Sequence, residues 1–187
     1  MNEPLNIVAL KSQDQKEFEK LVIHFEKQVL NLSTYLLNNK FEAEDATQEV
    51  FISVFQSLPK FKGDSKLSTW IYRIAVNKCR EHIRHKTRKK RFGILIDLYE
   101  RTNLNLISKD KTPEEKLFQD ERTNTLMAAI ESLPETQRIA YTMHNLEDIS
   151  YKEIAESLEV SVSSVESLIF RAKKKLKSKL ETFVKNQ

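Results

Sequence analysis

Glycine, proline and cysteine are scarce in this sequence, and each scarcity excludes a class of structure. Two glycines and four prolines in 187 residues leave few points at which a helix has to break. Helix-forming residues dominate elsewhere, so we predict an all-α fold with short loops. The single cysteine, Cys79, excludes an internal disulfide and fits a reducing compartment.

Long apolar runs are missing as well. No stretch approaches the ~18 consecutive apolar residues that a membrane-spanning helix needs. The first residues, MNEPLNIVALKSQD, lack the basic start and apolar core that are typical of a signal peptide. We therefore expect a cytoplasmic chain with no membrane insertion.

Positive charge is unevenly distributed along the chain, although the net charge is only +4. Residues 72–91 contain nine Lys or Arg against one acid, and residues 171–187 contain seven against one. Subtracting the +14 of these two segments from +4 leaves −10 for all other residues. This separation of charge predicts two basic contact surfaces and an acidic remainder.

Apolar periodicity and helix-start signals predict two small helical domains. The N-terminal half contains three predicted helices, at about 14–38, 42–58 and 68–88. The C-terminal half contains four, whose predicted starts are Thr112 with Pro113, Pro134, Ser150 with Glu153 as a capping box, and Ser161. We predict the domains at 1–91 and 113–187, with residues 92–112 as the linker.

The segment YKEIAESLEVSVSSVESLIF, residues 151–170, has the pattern of a helix-turn-helix unit. Ala155 provides the small residue where the two helices cross, and the apolar core positions are Ile154, Leu158, Val160, Val165 and Leu168. The turn residue, which is usually glycine because its backbone is left-handed, is Glu159, and it should be somewhat strained there. The alternative is an ordinary helical hairpin with a solvated lysine tail.

The second helix of this unit carries the residues that we predict to contact duplex DNA. Short polar side chains near its N-terminus can reach base edges in the major groove, and a glutamate there can accept a hydrogen bond from a cytosine amino group. Basic residues further along the helix suit phosphates. The predicted contacts are Ser163, Ser164, Glu166, Ser167, Arg171, Lys174 and Lys175.

The third predicted helix has a basic stripe opposite an apolar one. Arg73, Asn77, Arg80, Arg84, Arg88 and Arg91 fall within an arc of roughly 80°, a spacing that can follow a nucleic-acid backbone. The loop before it, KFKGDSKLSTW, mixes aromatic and basic residues, which suits stacking on unpaired bases. Taken alone, Trp70 is more typical of a core residue.

One face of the second predicted helix combines Asp45, Gln48 and Glu49 with Ile52. An isoleucine among acids indicates a protein contact surface, whereas the alternative is a solvated acidic face. Cys79, His82 and His85 are spaced by threes, but no second ligand pair completes a zinc site. We find no catalytic constellation, so we predict a non-enzyme without cofactors.

Four ordered segments together resemble the sigma-70 family of bacterial transcription initiation factors, in its short extracytoplasmic-function (ECF) group. They are FEAEDATQEVFISVF, FKGDSKLSTWIYRIAVNKCREHIR, LPETQR and SYKEIAESLEVSVSSVESLIFRAKKKLKSKL. The resemblance covers about residues 15–91 and 113–182. It implies a region 2 helical bundle and a region 4 helix-turn-helix, which act with core RNA polymerase on duplex and melted promoter DNA, and an anti-sigma partner.

The resemblance also implies roles for individual positions. Asp45, Gln48 and Glu49, with Ile52, would dock on the polymerase, and residues 162–175 would read the minus-35 element. The minus-10 contacts would be Lys62, Ser65, Lys66, Ser68, Thr69, Arg73, Asn77, Arg80 and Arg84.

Two positions depart from the family pattern, and one alternative function stays open. The family usually has a basic residue where Glu166 stands and often another at Leu168, so a base preference at the minus-35 element does not carry over. The alternative is a free-standing repressor or activator that uses the same helix-turn-helix. It leaves the acidic face and the aromatic-basic loop without a role.

Overall fold

The computed structural model describes residues 5–100 and 121–185, and these two ranges contain helices and no β-strand. The all-α prediction is confirmed. The elements are α1 (Ile7–Lys11), α2 (Gln15–Leu37), α3 (Lys40–Ser57), a 3-10 turn (Leu58–Lys60), α4 (Leu67–Glu100), α5 (Glu121–Glu131), α6 (Glu135–Asn145), α7 (Tyr151–Leu158) and α8 (Val162–Lys185).

Most helices begin where the capping signals predict. The Ser150 hydroxyl accepts a hydrogen bond from the Glu153 backbone N–H, and the Glu153 carboxylate accepts one from the Ser150 N–H, both at 3.3 Å. The Ser161 hydroxyl accepts from the Ser164 N–H at 3.2 Å, and Pro134 precedes α6. Local hydrogen bonding to orphan N–H groups therefore sets these boundaries. The predicted start at Thr112 lies outside the described residues.

Two features of the helices differ from the sequence prediction. Helix α4 continues to Glu100, so residues 92–100 of the predicted linker are helical. We predicted a linker here because residues 92–112 have no helical apolar period. The stretch can still be helical, because it contains no proline and a single glycine is tolerated in a helix. The short helix α1, capped by Asn6, was not predicted because five residues are too few to show a period. The domain boundary itself stays a prediction.

Helices α2, α3 and α4 pack around a fully buried apolar core in the N-terminal half. Cys79 belongs to this core. Its thiol lies 3.6 Å from the Ser33 hydroxyl, and burial raises its pKa to about 11. A buried neutral thiol of this kind is a packing residue rather than a nucleophile or a metal ligand.

The C-terminal half packs directly on the N-terminal half. Helix α7 lies against α4, and α6 lies against α2. One buried apolar cluster runs through both halves, from Leu21 and Ile71 on one side to Met143, Ile154 and Val165 on the other. The helix-turn-helix is therefore held on the bundle of α2, α3 and α4, through the contact of α7 with α4.

Glu147, in the loop between α6 and α7, is half-buried where this loop meets α2. Desolvation raises the pKa of its carboxyl to about 7, and Asp148 adds to the increase. A hydrogen bond to Asn31 and the charge of Lys27, both on α2, oppose that shift. The carboxyl is therefore held between its neutral and ionised forms near neutral pH.

This shift predicts that the chain becomes less stable as the pH rises toward 8. In the unfolded chain Glu147 ionises near its ordinary pKa of 4.5, whereas the folded chain keeps the proton up to about pH 7. The folded state thus binds more protons between these values, so its stabilisation is present below pH 4.5 and is lost by about pH 8. The effect should be about 1 kcal/mol after discounting for solvent exposure, or ~2–4 °C in Tm.

Thermal melts of the wild type and Glu147→Gln between pH 5 and pH 8 measure this effect. The fall in Tm should be smaller in Glu147→Gln, and the exposed Glu26→Gln should melt like the wild type. A Glu147→Gln profile parallel to the wild type would contradict the assignment.

Candidate nucleic-acid interface

The helix-turn-helix has the predicted geometry at its turn. Glu159 has φ 57° and ψ 43°, which is the left-handed conformation expected of this position. The Val160 N–H donates to the Ala155 carbonyl at 3.0 Å and closes the turn. Two core predictions were less accurate, because Val160 is 37% exposed and Ile169, rather than the partly buried Leu168, is the residue fully buried between the helices.

All seven residues predicted to contact duplex DNA are exposed on α8. The Ser161 hydroxyl bonds those of Ser163 and Ser164 at 3.0 and 2.8 Å, which orders the front of the helix. Lys175 is partly engaged, since its ammonium donates to the Ser132 carbonyl at 3.1 Å. The front of α8 therefore presents hydroxyls and a carboxylate, with cations behind them.

Phe170 lies in the middle of the same face and was missed by the sequence reasoning. It is 69% exposed and one to two turns beyond Ser163, Glu166 and Ser167 on the outer side of α8. The sequence prediction selected only polar and basic side chains as DNA contacts, so it did not include Phe170. The available signal was a large aromatic residue out of phase with the buried Val165, Ile169 and Ala172.

The basic stripe lies on the side of α4 that faces away from α3. Two of its arginines contact the C-terminal half. The Arg73 guanidinium donates to the Glu156 carbonyl at 2.8 Å and lies 3.3 Å from the Glu159 carboxylate. Arg80 Nε lies 3.0 Å from the Glu135 carboxylate. Asn77 and Arg84 are exposed.

The loop before α4 divides into a buried part and an exposed part. Lys62 and Lys66 are exposed and Ser65 and Ser68 are half-buried, whereas Thr69 is fully buried under α7. The Ser157 hydroxyl donates to the Thr69 carbonyl at 3.3 Å. A DNA contact by Thr69 stays a prediction, and it requires α7 to move away.

The aromatic residues of this segment are core residues rather than free stacking platforms. Phe61 is buried and its ring lies 5.0 Å from the partly buried ring of Trp70. Tyr72 is also buried, and its hydroxyl donates to Gln28 at 3.1 Å. The structure therefore favours the core interpretation of Trp70. Gly63, with φ 82°, provides the backbone turn of the loop.

The predicted protein contact face on α3 is exposed at all four positions, Asp45, Gln48, Glu49 and Ile52. Ile52 is 57% exposed, and Phe41, which the sequence reasoning missed, is 67% exposed on the same side of the helix. Glu49 is also tied to α4, since it lies 3.8 Å from Lys78 and 3.4 Å from His82. Two apolar side chains thus flank an acidic surface.

The described residues contain neither a metal-binding cluster nor a membrane-spanning helix. Within 5–100 and 121–185 no three His, Cys, Asp or Glu side chains meet in an arrangement that could hold a metal ion. None of the helices in that part of the chain is long and apolar enough to cross a membrane.

The fold and these surfaces define a two-part helical DNA-binding protein of the helix-turn-helix class. Family models agree and are more specific: "Sigma-70 region 2" matches residues 21–89 and "Sigma-70, region 4" matches residues 123–176. The chain belongs to the sigma-70 family of RNA polymerase sigma factors, in its ECF group.

Relatives match over nearly the whole chain. The ECF RNA polymerase sigma-E factor of Escherichia coli (strain K12) is 33% identical over 176 residues, covering 92% of this chain and 91% of that protein. The RNA polymerase sigma-H factor of Pseudomonas aeruginosa is 32% identical over 174 residues, covering 92% and 90%.

Solved structures share the fold. CnrH in complex with the cytosolic domain of CnrY has a TM-score of 0.70 at 19% identity, covering 94% of this chain and 95% of that one. The sigma factor RpoE of Bartonella quintana, in complex with the anti-sigma factor NepR, has a TM-score of 0.67 at 18% identity, covering 89% and 98%.

As a sigma factor, the chain is a promoter-specificity subunit of RNA polymerase, and its partners are the core enzyme and promoter DNA. The free-standing repressor or activator is not favoured.

Proposed function

We propose that three separate surfaces divide the work of promoter recognition. The exposed face of α3 docks on core RNA polymerase, the loop and basic stripe of α4 bind the melted minus-10 element, and the front of α8 reads the minus-35 duplex. This division is supported by the different chemistry of three helices. Helix α3 has an acidic and apolar face, α4 has a cationic stripe, and the N-terminal end of α8 is rich in hydroxyl groups.

The docking role of α3 rests on its combination of apolar and acidic groups. Asp45, Gln48, Glu49 and Ile52 form the surface, and Phe41 extends it by about one helical turn, to a total of about three turns. Apolar anchors inside a polar rim are the arrangement in which a few residues carry most of the binding energy.

The minus-10 role of α4 rests on charge and reach. Arg73, Asn77, Arg80 and Arg84 lie on one side of the helix, where they can follow the phosphates of a single strand. Lys62, Ser65, Lys66, Ser68 and Thr69 are next to them in the loop and at the start of the helix. Because Phe61 and Trp70 are packed inside, the capture of an unstacked base would depend on the loop backbone and its polar groups.

Phe170 adds an apolar contact to the polar reading face of α8. Its ring has no hydrogen-bonding group, so what it can recognise in the major groove is the C5-methyl group of thymine. We expect Phe170→Ala to weaken minus-35 binding at a thymine-containing site. Burial of a methyl group is worth ~0.8 kcal/mol, so the loss should be about fourfold.

The test measures promoter binding by the holoenzyme on templates that carry thymine or uracil in the minus-35 element. Uracil lacks only the methyl group, so it should weaken the wild type and leave Phe170→Ala unchanged. Equal losses on uracil templates for both proteins would show that Phe170 does not contact the methyl group.

Four further properties belong to the same proposal. The chain is a regulatory subunit that catalyses no reaction itself and needs no cofactor, and it works in the cytoplasm. Its activity is restrained by an anti-sigma partner. The support for that partner is the fold shared with CnrH and RpoE, which were solved in complex with the cytosolic domain of CnrY and the anti-sigma factor NepR.

One experiment tests the main proposal. Purified chain is mixed with duplex promoter DNA, with and without core RNA polymerase, and binding and strand opening are followed. Specific binding and opening should require the polymerase. Tight specific binding by the chain alone, with no effect of polymerase, would favour the free-standing regulator instead.

A further inference from the structure

Glu166 is the single acid between Val162 and Lys177 on α8, and it is exposed among the hydroxyls and cations of the proposed reading face. In the part of the chain that the structure describes, no group forms an ion pair or a hydrogen bond with its carboxylate. Glu181, by contrast, lies 3.8 Å from Lys177. The residues three and four positions from Glu166 on the same helix are all uncharged: Val162, Ser163, Ile169 and Phe170. The carboxylate of Glu166 is therefore open to a donor from outside the protein.

A carboxylate on a surface that approaches DNA opposes binding, because the phosphates repel it. A hydrogen bond from a base offsets this repulsion only where the base offers a donor. In the major groove cytosine offers its N4 amino group, whereas guanine offers only the acceptors N7 and O6, and thymine the acceptor O4. Adenine offers its N6 amino group next to the acceptor N7, which repels a carboxylate. Glu166 is therefore suited to cytosine and least suited to guanine.

Helix geometry places Glu166 on the same side of α8 as Phe170. These two residues are separated by about 40° around the helix and by about 6 Å along it, whereas Arg171 is about 140° away from Glu166. With α8 in the major groove, Glu166 and Phe170 face the same wall and reach bases of one strand. Successive bases are roughly 3.4 Å apart, so the two side chains contact positions one or two base pairs apart.

We propose that Glu166 is a specificity-determining residue, which selects cytosine and excludes guanine at one position of the minus-35 element. This cytosine lies in the same strand as the thymine that Phe170 contacts, one or two base pairs from it. The inference rests on the proposed function, since it requires the front of α8 to read the minus-35 duplex.

The first test is a selection with holoenzyme, in which the chain is bound to core RNA polymerase. Wild-type holoenzyme selects promoters from random duplex DNA, which defines the minus-10 and minus-35 elements. The minus-35 positions are then randomised and selected again with the wild type, Glu166→Arg and Glu166→Ala. The matched control is Glu181→Arg, because it makes the same change of charge at another exposed residue of α8. Thermal melts check that each variant folds.

The wild type should select cytosine over guanine ~5-fold or more at one minus-35 position. Glu166→Arg should select guanine at that position, because arginine donates to guanine O6 and N7. Glu166→Ala should lose the preference there, and Glu181→Arg should keep the preference of the wild type.

The result that would overturn the proposal is a uniform effect. If Glu166→Arg binds every template more tightly while the preferred bases stay the same, Glu166 only repels phosphates and selects no base. A cytosine preference that persists in Glu166→Ala would be equally contrary. The register is wrong if the selected cytosine is more than two base pairs from the thymine whose recognition is lost in Phe170→Ala.

A second test removes the donor atom from the DNA. N4-methylcytosine still pairs with guanine, but its methyl group replaces the amino hydrogen that faces the major groove. With this base at the selected cytosine, wild-type holoenzyme should bind the promoter ~5-fold or more weakly. Glu166→Ala should bind the methylated and unmethylated promoters alike. If the methyl group weakens both proteins to the same extent, Glu166 does not accept a hydrogen bond from this amino group.

Failure of this inference is distinguishable from failure of the proposed function. A wild-type holoenzyme that selects a minus-35 element whose bases do not depend on Glu166 would reject the role of Glu166 and leave the reading role of α8 in place. A holoenzyme that selects no upstream element, or a chain that starts no transcripts with core polymerase, would instead reject the proposed function.

Discussion

Ile52→Asp should weaken binding of the chain to core RNA polymerase by about 30-fold or more. Ile52 is 57% exposed on α3, and a buried interface anchor is typically worth at least ~2 kcal/mol. Aspartate there would remove the apolar contact and place an unpaired charge in the interface. The dissociation constant can be measured by titrating labelled chain with core enzyme.

Ile23→Asp is the matched control. Ile23 is 79% exposed on α2, outside the proposed surface, so the same substitution there should leave the affinity near that of the wild type. Melting curves of both variants check that each one folds. Equal losses of affinity, or an Ile52→Asp variant that binds normally, would place the polymerase contact elsewhere.

Removing two cations from the basic stripe should impair promoter opening while polymerase binding is retained. Arg80→Ala with Arg84→Ala deletes two phosphate contacts on the minus-10 surface, so we expect at least ~10-fold slower open-complex formation. The salt dependence of opening should also become weaker by roughly 0.7 in log–log slope for each lost single-strand contact. Permanganate reactivity of unpaired thymines follows the opening.

Lys78→Ala with Lys86→Ala controls for the loss of charge. These lysines lie on the opposite side of α4, where they pair with Glu49 and Glu42 of α3. Their removal should leave opening much less affected at saturating polymerase. If both double variants open promoters equally slowly, the side of α4 does not matter and the stripe assignment is wrong.

Features set by neighbouring residues were predictable from the sequence. The capping box at Ser150 and Glu153, the cap at Ser161 and the left-handed turn at Glu159 all involve groups within a few residues of one another. The exposed face of α3 followed from helical periodicity in the same way. These contacts need no knowledge of the rest of the fold.

Features that depend on distant residues were not predictable. Lys66 and Glu153 are separated by 87 positions, and no local sequence pattern predicts that they form an ion pair. The aromatic-basic loop looked like a stacking platform because its sequence does not reveal that Phe61 and Trp70 turn inward against each other. Which of Leu168 and Ile169 is buried also depends on how α8 is rotated against its neighbours.

Glu159 shows why a residue that is unfavourable locally can still be useful in this fold. A side chain in the left-handed region is less stable than glycine by roughly 1–2 kcal/mol, and glycine would give this turn a relaxed backbone. It would also delete the carboxylate that faces Arg73. Replacing Glu159 by glycine would therefore relax the turn of the helix-turn-helix and at the same time remove one contact that holds it against α4.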